Sequence, residues 1–159
     1  MSLEQTASQT VGPYFYIGFG NHVITDIADG AQGERVVIRG QVFDGAGAVV
    51  PDAVIETWQA DANGRYPHPE DPRAAQAQPG FRGFMRALVD DQGRFTLTTI
   101  KPGRVPGPGG QAQAPHLLVN VLMRGLLKQA PTRLYFADEA AANAEDPVLA
   151  LVPARAAPP

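Results

Sequence analysis

Between positions 36 and 43 the chain alternates Val36, Ile38, Gly40 and Val42 with Val37, Arg39, Gln41 and Phe43. This period of two, carried by β-branched residues, predicts a strand. Asp44-Gly45-Ala46-Gly47 then supplies turn chemistry, because Gly tolerates positive φ and Asp caps the turn. A second strand is predicted over 53–59, closed by Asp61-Ala62-Asn63-Gly64. A third over 84–89 and a fourth over 94–99 flank Asp90-Asp91-Gln92-Gly93, the clearest hairpin signal in the chain. Strands over 117–124 and 132–136 complete the set. The one helix-like piece is 138–145, with Asp138 placed to cap it. Residues 1–35 lack periodicity and read as an extended arm and loop, with the core in 36–159. Two irregular stretches, 67–82 and 102–115, are rich in Pro, Gly, Gln and Ala, and loops of that length are more often functional or interface-forming than decorative. Short strands with turn signals and no long helical pattern predict an all-β fold, a β-sandwich.

Composition agrees. With 159 residues the chain is one domain's worth, and 17 glycines and 15 prolines beside 44% apolar and 18% charged residues describe a turn-rich β domain. A net charge of −3 without a basic cluster removes the footprint that nucleic acid or an anionic membrane requires. The absence of cysteine removes thiolate metal sites, disulfides and a thiol nucleophile, and fits a reducing cytoplasm. The strongest apolar run, 117–123, is interrupted by Asn120 and far shorter than the roughly 20 residues a membrane span needs. No signal-peptide pattern opens the chain, so a soluble, cytoplasmic protein is expected. The histidines, His22, His68 and His116, lie more than forty residues apart, a poor basis for an imidazole-rich metal site.

Specific motifs change this picture. Gly40 to Gly47, the run Pro51-Asp52-Ala53-Val54-Ile55-Glu56-Thr57-Trp58-Gln59-Ala60, and Asn63-Gly64-Arg65-Tyr66 follow one another in order. Downstream come Asp91-Gln92-Gly93-Arg94-Phe95, Ile100-Lys101-Pro102-Gly103, Ala114-Pro115-His116-Leu117 and Thr132-Arg133-Leu134-Tyr135-Phe136. Together they resemble the signature of the intradiol ring-cleavage dioxygenases, and Ser8-Gln9-Thr10-Val11-Gly12-Pro13-Tyr14 is similar to the N-terminal arm of heteromeric members. The resemblance implies a non-haem Fe(III) site of two tyrosinates and two histidines. It also implies opening of protocatechuate by O2 to 3-carboxy-cis,cis-muconate. Phenolates are hard anionic donors suited to the ferric state, and imidazoles complete the shell.

Carried over position by position, the ligand set is incomplete. Tyr66 and His116 occupy two ligand positions, whereas the second tyrosine is replaced by Val105 and the second histidine of the His-x-His pair by Leu118. The arginine that catalytic members carry three residues before the first histidine is Gln113. The resemblance therefore implies an iron-free subunit that helps form a pocket whose iron is held by a homologous partner, the beta subunit. The residues it implies at that pocket are Thr10, Gly12, Pro13 and Tyr14 of the arm and Arg133. An arginine fork suits the substrate carboxylate.

Plainer readings stand beside these. Tyr66 and His116 read as retained pocket or packing residues, and His68 as part of a solvated Pro-rich loop. Trp58 and Glu56 share a strand face and read as packing with a paired carboxylate. Arg133 on residue chemistry alone is a surface ion-pair arginine, and Tyr14 reads equally as an interface anchor. Two other functions remain: a self-sufficient dioxygenase with substitute ligands, and an iron-free binding or assembly module. The Pro/Ala-rich end, Val152 to Pro159, carries no strand pattern, and the core is expected to lack the last strands of the family.

Overall fold

A computed structural model describes residues 7–10 and 12–153, and within them the six predicted strands form in order. β1 (Arg35–Gln41) pairs antiparallel with β4 (Arg94–Ile100), Ile38 opposite Leu97. β2 (Val54–Trp58), β3 (Phe84–Leu88), β7 (His116–Leu122) and β8 (Ala130–Tyr135) form a second antiparallel sheet in the order β3-β2-β7-β8. The sheets pack face to face. Leu97 of β4 is buried with Met85 and Ala87 of β3 and Leu117 of β7, and Ile38 and Phe95 pack on the same cluster. This is the expected β-sandwich.

Strand alternation gives the four-stranded sheet a second face. Ile55, Met85, Ala87, Leu117 and Val119 point into the sandwich. The register sets Trp58 opposite both Phe84 and Leu118, Glu56 opposite Arg86, Leu118 opposite Arg133 and His116 opposite Tyr135, all on the other side.

Four expectations need correction. The 90–93 turn forms tightly, with Asp90 Oδ1 accepting from the N–H groups of Gln92 and Arg94 at 2.8 Å, but it does not make a hairpin. β3 pairs with β2 and β4 with β1, so the turn is an arch between layers. The physical reason is that Ala87 and Leu97 both bury their side chains in one cluster, which face-to-face stacking satisfies and side-by-side pairing does not. The stretch 102–115 is not wholly irregular: β5 (Val105–Pro106) and β6 (Ala112–Gln113) pair in a small hairpin closed by Gly107 N–H on the Gln111 carbonyl at 2.7 Å.

Within 1–35 a short helix, α1 (Pro13–Gly18), starts with a proline, whose missing N–H costs nothing in a first turn. Tyr16 Oη donates to the Val89 carbonyl at 2.8 Å, Ile24 bridges to Arg86 and Asp26 to Thr98, and Ala28 is buried with Phe81 and Ile100. Near 138–145 a single 3-10 turn (Ala137–Glu139) precedes α2 (Ala140–Ala144). Asp138 does not cap it. Its carboxylate takes the Lys101 ammonium at 2.7 Å instead, a stronger partner for a full charge than a backbone N–H, and Glu139 joins at 2.9 Å. The two carboxylate hydrogen bonds hold the Lys101 ammonium well above its ordinary range. Residues 154–159 of the Pro/Ala-rich end lie outside the described residues.

Candidate active site

Tyr66 leaves β2 through a loop built on the buried Asp61 carboxylate. Oδ1 accepts from the N–H groups of Asn63 at 2.9 Å and Arg65 at 3.0 Å, and Oδ2 from that of Gln78 at 2.9 Å. Gly64 turns with φ +71°, and its α-carbon faces the Arg104 carbonyl so closely that no Cβ fits. Tyr66 N–H is then held by Asp71 Oδ2 at 2.9 Å, and the phenol ring stacks on Trp58 at 5.8 Å and 11°. Burial raises the Tyr66 phenol pKa above its usual value, the Arg133 cation opposes this, and the Asp71 charge adds to it. A cavity of about 370 Å³ opens here between Trp58, Tyr66, His68, Asp71, Val105 and Pro106.

His116 opens β7 and is 4% exposed. Its Nδ1 lies 2.8 Å from the Ala114 carbonyl. A carbonyl only accepts, so Nδ1 carries the proton and Nε2 the lone pair. Burial lowers the imidazole pKa, the bond to Ala114 resists, Arg133 lowers it further and Asp146 raises it. Beside it Tyr135 tilts at 5.8 Å.

Arg133 stands directly across from Leu118, and Val105 directly across from Gln113. Arg133 Nη1 donates to Gln113 Oε1 at 2.7 Å and reaches Tyr135 Oη at 3.4 Å. Tyr135 Oη in turn lies 3.4 Å from Asp146 Oδ1. The buried Asp146 accepts from three backbone N–H groups, Ala114 at 2.7 Å and Val148 and Leu149 at 2.8 Å. Burial alone would raise its pKa, but those N–H groups and Arg133 hold it below the usual carboxylate value.

Whether these residues fit ferric iron is decided by the donor set. Of the four positions that the resemblance names, only Tyr66 and His116 bear donor atoms. Val105 and Leu118 end in carbon, and Arg133, across the ladder from Leu118, puts a positive charge within electrostatic reach of both Tyr66 and His116. Iron does not fit. Among the described residues no group of three or more His, Asp or Glu side chains is arranged to hold a metal ion.

The arm residues lie elsewhere on the chain. Thr10 Oγ1 accepts from Gly125 N–H at 2.9 Å, beyond the far end of β7, and Leu118 to Leu122 alone spans about 13 Å. The Gly12 carbonyl accepts from Phe15 N–H at 3.0 Å as α1 begins, and Tyr14 is 86% exposed. The side chain of Pro13 lies outside the described residues. Tyr66 and Val105 thus share one cavity wall, Leu118 and Arg133 face each other two residues along β7 from His116, and Thr10, Gly12 and Tyr14 lie apart from both groups. His68 sits in an exposed loop with Nδ1 accepting from Glu70 N–H at 3.2 Å, and Glu56 pairs with Arg86 at 2.6 Å, both as the plainer readings have it. Sequence reasoning missed Tyr135 and Asp146. An Asp ahead of Pro147-Val148-Leu149 signals a local turn, but nothing in the sequence tells that its other oxygen holds Ala114.

The profile of the Dioxygenase family matches residues 11–149. The protocatechuate 3,4-dioxygenase alpha chain of Burkholderia cepacia is 49% identical over 96% of this chain and 80% of that protein. The chain of the same name from Pseudomonas putida is 43% identical over 94% of this chain and 78% of its own. Among solved structures, 3-chlorocatechol 1,2-dioxygenase from Rhodococcus opacus 1CP superposes with a TM-score of 0.59 at 28% identity, covering 71% of this chain and 49% of that one. No helix among the described residues is long and apolar enough to cross a membrane.

Proposed function

The chain belongs to the dioxygenase family, in its intradiol ring-cleaving branch, and we propose that it is the iron-free alpha subunit of a heteromeric protocatechuate 3,4-dioxygenase. The observation that carries this is a relative named as an alpha chain, matched over nearly the whole length, together with carbon side chains at two of four ligand positions. The family uses non-haem iron. In this reading the iron resides in a homologous beta subunit, where it supplies the activation of a bound catecholate toward O2.

This chain's contribution is to bind and orient. The start of the chain acts as the arm, and its Thr10, Gly12, Pro13 and Tyr14 line the partner's pocket. Arg133 takes the carboxylate that distinguishes protocatechuate from catechol. Among the described residues Arg133 makes its hydrogen bonds through Nη1, which leaves the Nε and Nη2 edge in the geometry that pairs with a carboxylate. A cytoplasmic location belongs to the same reading. The self-sufficient alternative lacks a third donor at the site.

Steady-state kinetics on the chain assembled with its beta subunit test the assignment. The isolated chain is expected to be colourless and inactive, and the assembled pair to cleave protocatechuate. Arg133→Ala in the pair raises KM for protocatechuate much more than for catechol. Equal losses on both substrates would make Arg133 structural, and a chain that never assembles with an iron-bearing homologue would be an assembly module of another kind.

A further inference from the structure

We propose that the Gln113–Arg133 side-chain bridge takes the place of a metal ion in this chain, an internal cation that bars metal from the remaining Tyr66 and His116 donors. The inference deepens the subunit reading and rests on it for the four ligand positions. The two positions without donors are Val105 in β5 and Leu118 in β7. Directly across the ladder from Val105 is Gln113, and directly across from Leu118 is Arg133. The side chains of these two cross-strand neighbours are bonded to each other at 2.7 Å. The bridge therefore joins the neighbours of Val105, which shares a cavity wall with Tyr66, and of Leu118, two residues from His116, and the Arg133 charge acts on both Tyr66 and His116.

The chemistry of the pair suits the role. A guanidinium stays charged at every working pH, so a fixed positive charge stands where a metal's would. Gln113 accepts through an amide oxygen, which orients the guanidinium without neutralising it, as a carboxylate would. Tyr135 Oη lies 3.4 Å from Arg133 Nη1 and 3.4 Å from Asp146, so the compensating negative charge is set one residue back. Without such compensation a half-buried cation would be costly. The His116 tautomer, with its Nε2 lone pair unprotonated, is that of a metal ligand, so the imidazole itself does not prevent binding. The neighbouring cation does.

The test uses the full chain with Leu118→His, which adds a third donor at a position already 38% exposed and so tolerant of a polar side chain. Co(II) is titrated by calorimetry and by its visible absorption, with Arg133 present and with Arg133→Gln added. The variant carrying both changes is expected to bind one Co(II) per chain at least ten-fold more tightly than Leu118→His alone. Equal affinity in the two, or binding in neither, overturns the proposal. Should Arg133→Gln fail to fold by circular dichroism, Leu118→His with Gln113→Ala asks the same question. The guanidinium then keeps its charge and loses its tether, Co(II) affinity rises, and an unchanged affinity overturns the proposal. Failure of the subunit reading shows separately, as absence of ring cleavage when the unaltered chain meets its beta subunit.

Discussion

At the scale of single residues, the site is held by two buried carboxylates with complementary tasks. Asp61 shapes the loop that delivers Tyr66, and Asp146 ties the strand entering at Ala114 to the turn at Val148 and Leu149. Asp146 splits its work between its oxygens: Oδ2 serves Ala114 and Oδ1 serves the turn. Asp146→Asn keeps one acceptor oxygen but turns an NH2 group toward a backbone N–H that then has no partner. Leaving a buried donor unsatisfied costs about 1–3 kcal/mol, and that loss is expected in urea unfolding at pH 7. The pH dependence follows from the depressed pKa. Folded Asp146 releases its proton more readily than unfolded Asp146, so its contribution is complete above the ordinary value of 3.8 and disappears as pH falls through the lower folded value. The stability gap between the protein and the Asn variant should therefore be constant from pH 7 to about 5 and narrow below 3.8. A gap unchanged at pH 3 would show that charge plays no part.

At the scale of elements, strands were legible and their partners were not. The segments predicted over 36–43, 53–59, 84–89, 94–99, 117–124 and 132–136 each overlap an observed strand, because β-branched and apolar residues bounded by turn signals are a local property of the sequence. Pairing is a relation between distant segments. Asp90 to Gly93 has every local mark of a hairpin turn, yet whether it lies within a sheet or between two is decided by where Ala87 and Leu97 find cover. For the same reason motif position alone supports the expectation that Val105 and Leu118 stand at ligand positions, while the bond between Gln113 and Arg133 depends on two separate ladders. The loop 61–66 is the element where local chemistry and site meet. Gly64 has φ +71° and a backbone carbonyl where a Cβ would go. Gly64→Ala is expected to cost about 2–4 kcal/mol, in the range of a strained backbone combined with steric conflict, and to disturb Trp58 emission by moving Tyr66 off the indole. Gly64→Asn separates the causes in a thermal melt. Asparagine accepts positive φ but carries the same Cβ, so it should be as damaging as alanine if the carbonyl contact dominates, and milder if φ does.

At the scale of the whole molecule, the two sheets divide labour and depend on one another. The two-stranded β1-β4 sheet carries none of the positions gathered at the site, which lie on the far face of the four-stranded sheet and in the loops beside it. What the smaller sheet supplies is cover for the inner face, through Leu97 against Met85, Ala87 and Leu117. Leu97→Ala removes a side chain that is 1% exposed and leaves a cavity between the layers, for which about 2–5 kcal/mol is the ordinary cost. The effect reaches the site because Leu117 stands between His116 and Leu118 in one strand, facing the opposite way. Trp58 is the chain's one tryptophan and belongs to the sheet that was not altered, so its fluorescence reports the site side while far-UV circular dichroism reports both sheets. In urea the two signals should move together to a lower midpoint with a single transition, the mark of one cooperative core. A Trp58 transition that stays at its original midpoint while the dichroism shifts would mean that the site-bearing sheet stands without its cover.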